Sequence, residues 1–146
     1  MISEMISKIK STKLNDIKRE WHLVDVNDKI LGRAASEITQ LLLGKRKPYF
    51  VTYLDCGDYV VVINAKKIKV TGKKEREKTY DSYSGYPGGH KVTTLGKLRE
   101  THPERIIELA VRNMLPKNKL RDQRMGRLKV FPVADHPYKD KLKIKN

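Results

Sequence analysis

A run of five apolar residues, 59–63 (YVVVI), most constrains what this chain can fold into. The run has no polar alternation, which is typical of a strand that is covered on both faces. It follows a strand-like segment at 21–26 and a segment at 31–42 whose apolar residues recur at helical spacing. Strand, helix and buried strand in this order predict a right-handed crossover and a parallel sheet.

Shorter elements follow the buried strand. Residues 68–71 alternate as expected of an edge strand, and residues 128–131 predict the last strand. A short helical turn is predicted at 95–99. Residues 72–91 show neither period, and a stretch of about 20 residues without regular structure often forms a functional loop.

The second long helix has clear predicted boundaries. Thr101 and Glu104 are spaced as a capping box, and Pro103 falls in the first helical turn. The helix is expected to end at Leu115, because Pro116 disfavours helical backbone in the residue before it. Its core-facing stripe comprises Ile106, Ile107, Ala110, Val111 and Met114.

The chain of 146 residues is long enough for one domain with a core of its own. We expect a flexible N-terminal extension at 1–15, a single α/β domain at 16–138 and a basic tail at 139–146. No run approaches the roughly 18 apolar residues of a membrane span, and the N-terminus lacks the apolar block of a secretory signal. The single cysteine, Cys56, fits a reducing compartment. These features predict a cytoplasmic protein.

Positive charge is concentrated in three segments. Residues 45–47 are all basic, residues 65–80 hold seven basic and two acidic side chains, and residues 116–131 hold six basic and one acidic. These segments supply +13 of the net charge of +15. A charge of this size, placed in the connections between apolar elements, points to a nucleic acid as the partner, with an anionic membrane surface as the weaker alternative.

The basic segments predict RNA contacts. Lysine and arginine side chains neutralise phosphates, and exposed tyrosine rings stack on bases. Glycines let the backbone approach another surface closely. The alternative for the tyrosines is that they fold back onto the sheet. The predicted RNA-binding residues are Arg33, Lys45, Arg46, Lys47, Lys66, Lys67, Lys69, Lys73, Lys74, Arg76, Lys78, Tyr83, Tyr86, Gly88, Gly89, His90, Lys91, Lys117, Lys119, Arg121, Arg124, Arg127 and Lys129.

Catalysis and cofactor binding have weak support in the sequence. No two histidines have the spacing of a helical metal site, and one cysteine cannot form a zinc cluster. The glycine-rich residues 85–90 lack the ending of a phosphate-binding loop. Asp25, Asp55 and Asp58 lie near strand ends, where an α/β enzyme places its acids, whereas His22 is expected to be structural. We predict no cofactor, no metal and no small-molecule substrate.

Six segments resemble one known family in the order in which they occur. They are 21–25 (WHLVD), 31–35 (LGRAA), 58–65 (DYVVVINA), 70–74 (VTGKK), 85–89 (GYPGG) and 110–117 (AVRNMLPK). The family is the bacterial-type ribosomal protein thirteen of the large subunit, and the similarity covers residues 12–138.

The resemblance implies an α/β fold of three layers, α/β/α, with a four-stranded, mainly parallel sheet and long basic loops. It also implies a structural constituent of the large ribosomal subunit that binds large-subunit ribosomal RNA beside neighbouring ribosomal proteins. Such a protein supports early subunit assembly and translation and is not an enzyme. Two alternatives stay open. One is a free RNA-binding regulator or chaperone, including one that binds messenger RNA, and the other is a small RNA-acting α/β enzyme.

Overall fold

The computed structural model describes residues 12–142. Expectations for residues 1–11 and 143–146, which include most of the N-terminal extension and the end of the tail, lie outside the described residues. The described strands are β1 (Trp21–Asp25), β2 (Tyr59–Ile63), β3 (Thr79–Tyr83), β4 (His90–Thr94) and β5 (Leu128–Val130). The described helices are α1 (Leu31–Leu43), α2 (Lys74–Glu77), α3 (Leu95–Thr101), α4 (Pro103–Met114), α5 (Arg121–Gly126) and α6 (Lys139–Leu142).

Strands β1, β2 and β5 form a parallel sheet with β2 at its centre. Trp21 lies opposite Tyr59, and Val60 lies opposite Leu128. The central position explains the unbroken apolar run of β2, since residues 60–63 are all buried. The predicted mixed α/β fold with a parallel sheet is therefore confirmed.

The sheet has three strands where four were predicted. Residues 68–71 form no strand, and Lys69 makes an isolated parallel bridge with Ile30. The reason is the turn that follows β2, in which Asn64 adopts a left-handed conformation and Ala65–Lys67 forms a short 3-10 helix. The chain therefore leaves the sheet and pairs with the connection before α1.

The segment predicted as an irregular loop, 72–91, contains regular structure. Helix α2 lies within it, and β3 and β4 form an antiparallel hairpin in which Tyr83 is opposite His90. Gly85 and Gly88 have positive φ in the turn between the strands. Nearly all hairpin residues are exposed on both faces. No apolar alternation was therefore required, and the periodicity gave no strand signal.

The main core lies on one face of the sheet. Helices α1 and α4 pack against each other, and apolar side chains of both join Val60 and Val62 of the central strand in one buried cluster. Helix α1 ends at Gly44, which has a φ of 73° and donates its N–H to carbonyls of the last turn. This left-handed end turns the chain toward the first basic segment.

The other face of the sheet is covered near β1 by the C-terminal segment. Trp21 and Tyr59 stack with their ring centroids 4.4 Å apart, and Tyr138 stacks on Trp21 at 5.3 Å. The ammonium group of Lys141, in the one-turn helix α6, lies 4.8 Å from the Trp21 ring centroid. The beginning of the basic tail is therefore packed onto the sheet.

Helix α4 begins as predicted but is capped differently. Pro103 occupies its first turn and His102 precedes it, without a side-chain capping bond. The expected capping box of Thr101 and Glu104 does not form, because Thr101 still belongs to α3 and its hydroxyl donates to the carbonyl of Lys97 at 3.0 Å. Within residues 12–142, no helix is long and apolar enough to cross a membrane.

Candidate RNA interface

The hairpin and helix α2, residues 73–94, form a surface that projects from the core; we call it the hairpin surface. Tyr83 and Tyr86, near its tip, are 67% and 75% exposed. Tyr80 behaves differently, since it is half-buried against the core cluster and its burial raises the pKa of the phenol. The alternative that tyrosines fold back onto the body thus holds for Tyr80, while the rings of Tyr83 and Tyr86 are available for stacking.

The base of the hairpin surface is attached to helix α3. The Leu95 amide donates to the carbonyl of Lys78 at 2.9 Å, and Arg99 lies 3.0 Å from the carboxylate of Glu75. A two-stranded hairpin with both faces in water is marginally stable on its own. These contacts therefore hold a segment with five exposed basic residues in place. They are Lys73, Lys74, Arg76, Lys78 and Lys91.

The first basic segment, 45–47, divides into two exposed cations and one that is mostly buried. The side chain of Lys47 is 13% exposed, and its ammonium group lies against the Asp58 carboxylate. The same group donates to the carbonyls of Lys18 at 2.6 Å and Cys56 at 2.9 Å. Lys47 therefore holds the loop around Cys56 to the body, whereas Lys45 and Arg46 face solvent, and the RNA contact predicted for Lys47 remains a prediction.

Asp58 is the centre of this buried contact. Burial alone would raise its pKa, but hydrogen bonds with His22, at 3.0 Å, and with Lys47 hold the pKa below its ordinary value. The Glu20 amide donates to the same carboxylate at 2.9 Å. The arrangement gives Asp58 and His22 structural partners at the start of β1, which confirms the structural role expected of His22.

Replacing Lys47 by methionine should cost more free energy of unfolding than free energy of RNA binding. The change leaves Asp58 buried without its ammonium partner and removes two further hydrogen bonds, which should cost about 2–3 kcal/mol in unfolding free energy. Urea unfolding measures this loss. Arg46→Met is the matched control: it should change stability by less than about 0.5 kcal/mol. Equal stability of the two variants would contradict the structural role of Lys47.

The third basic segment also contains buried cations. Arg127 forms a two-pronged contact with both oxygens of Asp55, and Arg124 donates Nε to Asp55 at 3.4 Å. Arg19 approaches the same carboxylate at 3.7 Å. Burial would raise the pKa of Asp55, but Arg127, Arg124 and Arg19 together hold it below its ordinary value. Arg124 and Arg127 therefore form internal ion pairs with Asp55, and the RNA contacts predicted for them remain predictions.

The arm after α4 is only partly helical. Leu115 is buried and extended, so the helix ends before Pro116 as predicted. Helix α5 begins at Arg121, which means that Lys117 does not share a helical face with it. Lys117 and Lys119 are exposed on the connection between the helices. Residues 117–126 therefore have no continuous helical basic face.

The remaining predicted cations lie near the carboxyl ends of β1 and β2. Arg33 is exposed in the first turn of α1, and Lys66 and Lys67 are exposed in the turn after β2. Lys69 is exposed and pairs with Asp28 at 2.9 Å. Further along the chain, Lys129 of β5 is half-buried.

The acids weighed as catalytic candidates have structural partners. Hydrogen bonds from the Asn64 side chain and the Asn27 amide, both 2.9 Å long, hold the pKa of Asp25 below its ordinary value. Asp55 and Asp58 are engaged by arginine and lysine as described above. Across residues 12–142, no group of three histidine, cysteine or acidic residues could hold a metal ion. Cys56 is buried, as expected of a structural thiol.

The body and its surface define a class of protein. A parallel-sheet α/β core carries exposed cations on a hairpin, on a helix-ending turn and on an extended arm, which is the pattern of a small protein that presents basic segments to a polyanion.

Comparison with known proteins identifies the family. The family described as Ribosomal protein L13 matches residues 19–137, so the chain belongs to that family. A relative from Petrotoga mobilis, named Large ribosomal subunit protein uL13, is 46% identical and covers 100% of this chain and 99% of its own length. Relatives of the same name from Halorhodospira halophila and Prochlorococcus marinus are each 50% identical. They cover 88% and 91% of this chain, and 91% and 93% of their own lengths.

Proposed function

We propose that this protein is a structural constituent of the large ribosomal subunit and binds large-subunit ribosomal RNA without catalysing a reaction. The observation that carries the proposal is the alignment of relatives named for the large subunit along 88–100% of this chain. The exposed cations and tyrosines supply a chemistry that suits folded RNA, since phosphates attract the cations and unstacked bases stack on the rings.

The RNA contacts are assigned to predicted residues that are exposed or half-buried and are not held in a buried ion pair. We infer that the hairpin surface makes the largest share of them, because it combines exposed cations with the rings of Tyr83 and Tyr86 and a glycine-containing turn. The proposed contact residues are Arg33, Lys45, Arg46, Lys66, Lys67, Lys69, Lys73, Lys74, Arg76, Lys78, Tyr83, Tyr86, Gly88, Gly89, His90, Lys91, Lys117, Lys119, Arg121 and Lys129.

The proposal extends to place and partners. Residues 16–138 act as one RNA-binding domain in the cytoplasm, within the ribosome and beside other large-subunit proteins. Neutralising phosphates early stabilises compact RNA, which suits a role in subunit assembly. A free regulator that acts on messenger RNA would use the same surfaces but would not remain with the subunit.

Sedimentation of cell extract on a sucrose gradient tests the proposal. We expect the full-length protein in the large-subunit and whole-ribosome fractions, because many phosphate contacts together hold it on the RNA. Raising the salt should release it steeply, by about 0.7–0.9 log units of affinity per contact for each tenfold change in salt. Recovery of the protein only from the top of the gradient at low salt would refute the ribosomal assignment.

A further inference from the structure

A cleft joins the first and third basic segments, which are far apart in the sequence. Its volume is about 320 Å³, and it lies between the loop after α1 and the arm after α4. Leu43, Phe50 and Pro116 form its apolar walls, and Lys45 and Thr52 line it from the loop. Arg124 also lines the cleft, although its side chain is only 2% exposed. The cleft thus combines an aromatic ring, apolar walls and two cations.

The charges beside the cleft are not balanced. Arg124 and Arg127 are both buried, and they share the single carboxylate of Asp55. Arg127 occupies both oxygens of that carboxylate, while Arg124 contacts it through Nε alone, at 3.4 Å. A buried guanidinium is stable when an anion compensates its charge. The excess positive charge and the Nη donors of Arg124 therefore favour an anionic group inside the cleft.

The shape of the cleft limits what that anion can belong to. A volume of 320 Å³ is at the lower end of the roughly 300–1,000 Å³ range of small-molecule sites, so the cleft holds one small group and not a helix. The planar fork of a guanidinium suits phosphate, and the ring of Phe50 suits a nucleobase or a ribose. An acidic peptide would satisfy the cations but would make no use of the ring.

We propose that this cleft binds one unstacked nucleotide of RNA, with its phosphate between Lys45 and Arg124 and its base against Phe50. The inference rests on the proposed binding of large-subunit ribosomal RNA and adds a specific pocket to it. The hairpin surface contacts the RNA at the protein surface, whereas the cleft binds a single nucleotide within the α/β body. One nucleotide held in this way would set the position of the RNA relative to the core.

Filling the cleft tests the proposal without removing any charge. Thr52→Trp places a large ring in the cleft, and Tyr53→Trp places the same ring on the exposed neighbouring position as a control. Filter binding of the full chain to large-subunit ribosomal RNA should show about 10-fold weaker binding for Thr52→Trp, which corresponds to the loss of one stacked base. Tyr53→Trp should stay within about twofold of the unaltered protein.

A second variant and a chemical readout identify the occupant. Lys45→Gln should lower the slope of log affinity against log salt concentration by about 0.7–0.9, as expected for one lost phosphate contact. Ultraviolet cross-linking followed by mass spectrometry should place a nucleotide adduct on the peptide that contains Phe50, and Thr52→Trp should abolish the adduct. If the tryptophan variant does not fold, the presence or absence of the Phe50 adduct on the unaltered protein decides the test, because Lys45 is already assigned a general RNA contact.

The possible outcomes distinguish a failure of the cleft proposal from a failure of the proposed RNA binding. If the unaltered protein binds the RNA, but Thr52→Trp binds like it and no adduct forms at Phe50, the cleft proposal fails while RNA binding stands. If the unaltered protein does not bind the RNA, the proposed function itself fails. Cross-linking of this cleft to a protein segment in whole subunits would also overturn the proposal.

Discussion

Replacing Asp55 by alanine is expected to lower the free energy of unfolding by about 3–5 kcal/mol, because it leaves two guanidinium groups buried without their carboxylate. The affected cations, Arg124 and Arg127, connect the arm and the start of β5 to the loop before β2. Urea unfolding followed by the fluorescence of Trp21, which lies in the sheet, measures the effect. A loss of this size would show that one internal ion cluster supports both the loop and the arm.

The matched control removes an aspartate that is also paired but lies in water. Asp28 is 65% exposed and lies 2.9 Å from Lys69, so Asp28→Ala should cost at most about 1 kcal/mol. If the two alanine variants had the same unfolding free energy, the cluster around Asp55 would be no more important than a surface pair. That result would also weaken the argument for uncompensated charge beside the cleft.

The same carboxylate makes stability depend on pH in a defined direction. The pKa of Asp55 in the folded protein lies below its ordinary value of 3.8. The ionised group therefore stabilises the fold above that value, and the stabilisation is lost as the pH falls through the folded pKa. Asp58 has a lowered pKa as well and acts in the same direction. Acidification below about pH 4 should narrow the stability difference between the unaltered protein and Asp55→Ala.

Reversing three charges of the hairpin surface should produce the largest loss of RNA affinity. With Lys73, Lys74 and Arg76 all changed to glutamate, binding to large-subunit ribosomal RNA should weaken about 10²–10³-fold at 0.1 M salt. The estimate assumes one phosphate contact for each side chain, and the slope of log affinity against log salt should fall by about 2–3. All three side chains are exposed, so the melting temperature should change little.

The control for this variant changes the net charge by the same amount but at three cations outside the hairpin surface. Lys13, Lys18 and Arg105 are exposed and lie outside the three basic segments, and their reversal to glutamate changes the net charge by the same amount. We expect a loss of less than about 10-fold, because distant charges are screened beyond roughly 8–10 Å at such salt concentrations. An equal loss in both variants would mean that the overall charge, and not the hairpin surface, attracts the RNA.

Much of the core could be predicted from the sequence alone. The helical stripes of α1 and α4 reflect the burial of one side of each helix, and the unbroken apolar run of β2 reflects burial on both faces of the strand. Gly44 and Pro116 mark helix ends by local backbone chemistry that needs no tertiary context. The hairpin was not predicted because its residues are mostly exposed. A strand that buries little apolar surface needs no alternation of apolar and polar residues, so the sequence shows no such pattern.

The sequence by itself determined the parallel α/β body, its family resemblance and the presence of three basic segments, since burial patterns and charge counts are properties of local stretches. Only the tertiary structure decided which cations remain available. Lys45 and Lys47 are two residues apart, yet one faces water and the other is bonded to Asp58. Arg124 likewise turned out to be buried, because Asp55, 69 residues away in the sequence, supplies its carboxylate. Which charges pair depends on the distance between them in space, and the fold of the whole chain sets that distance.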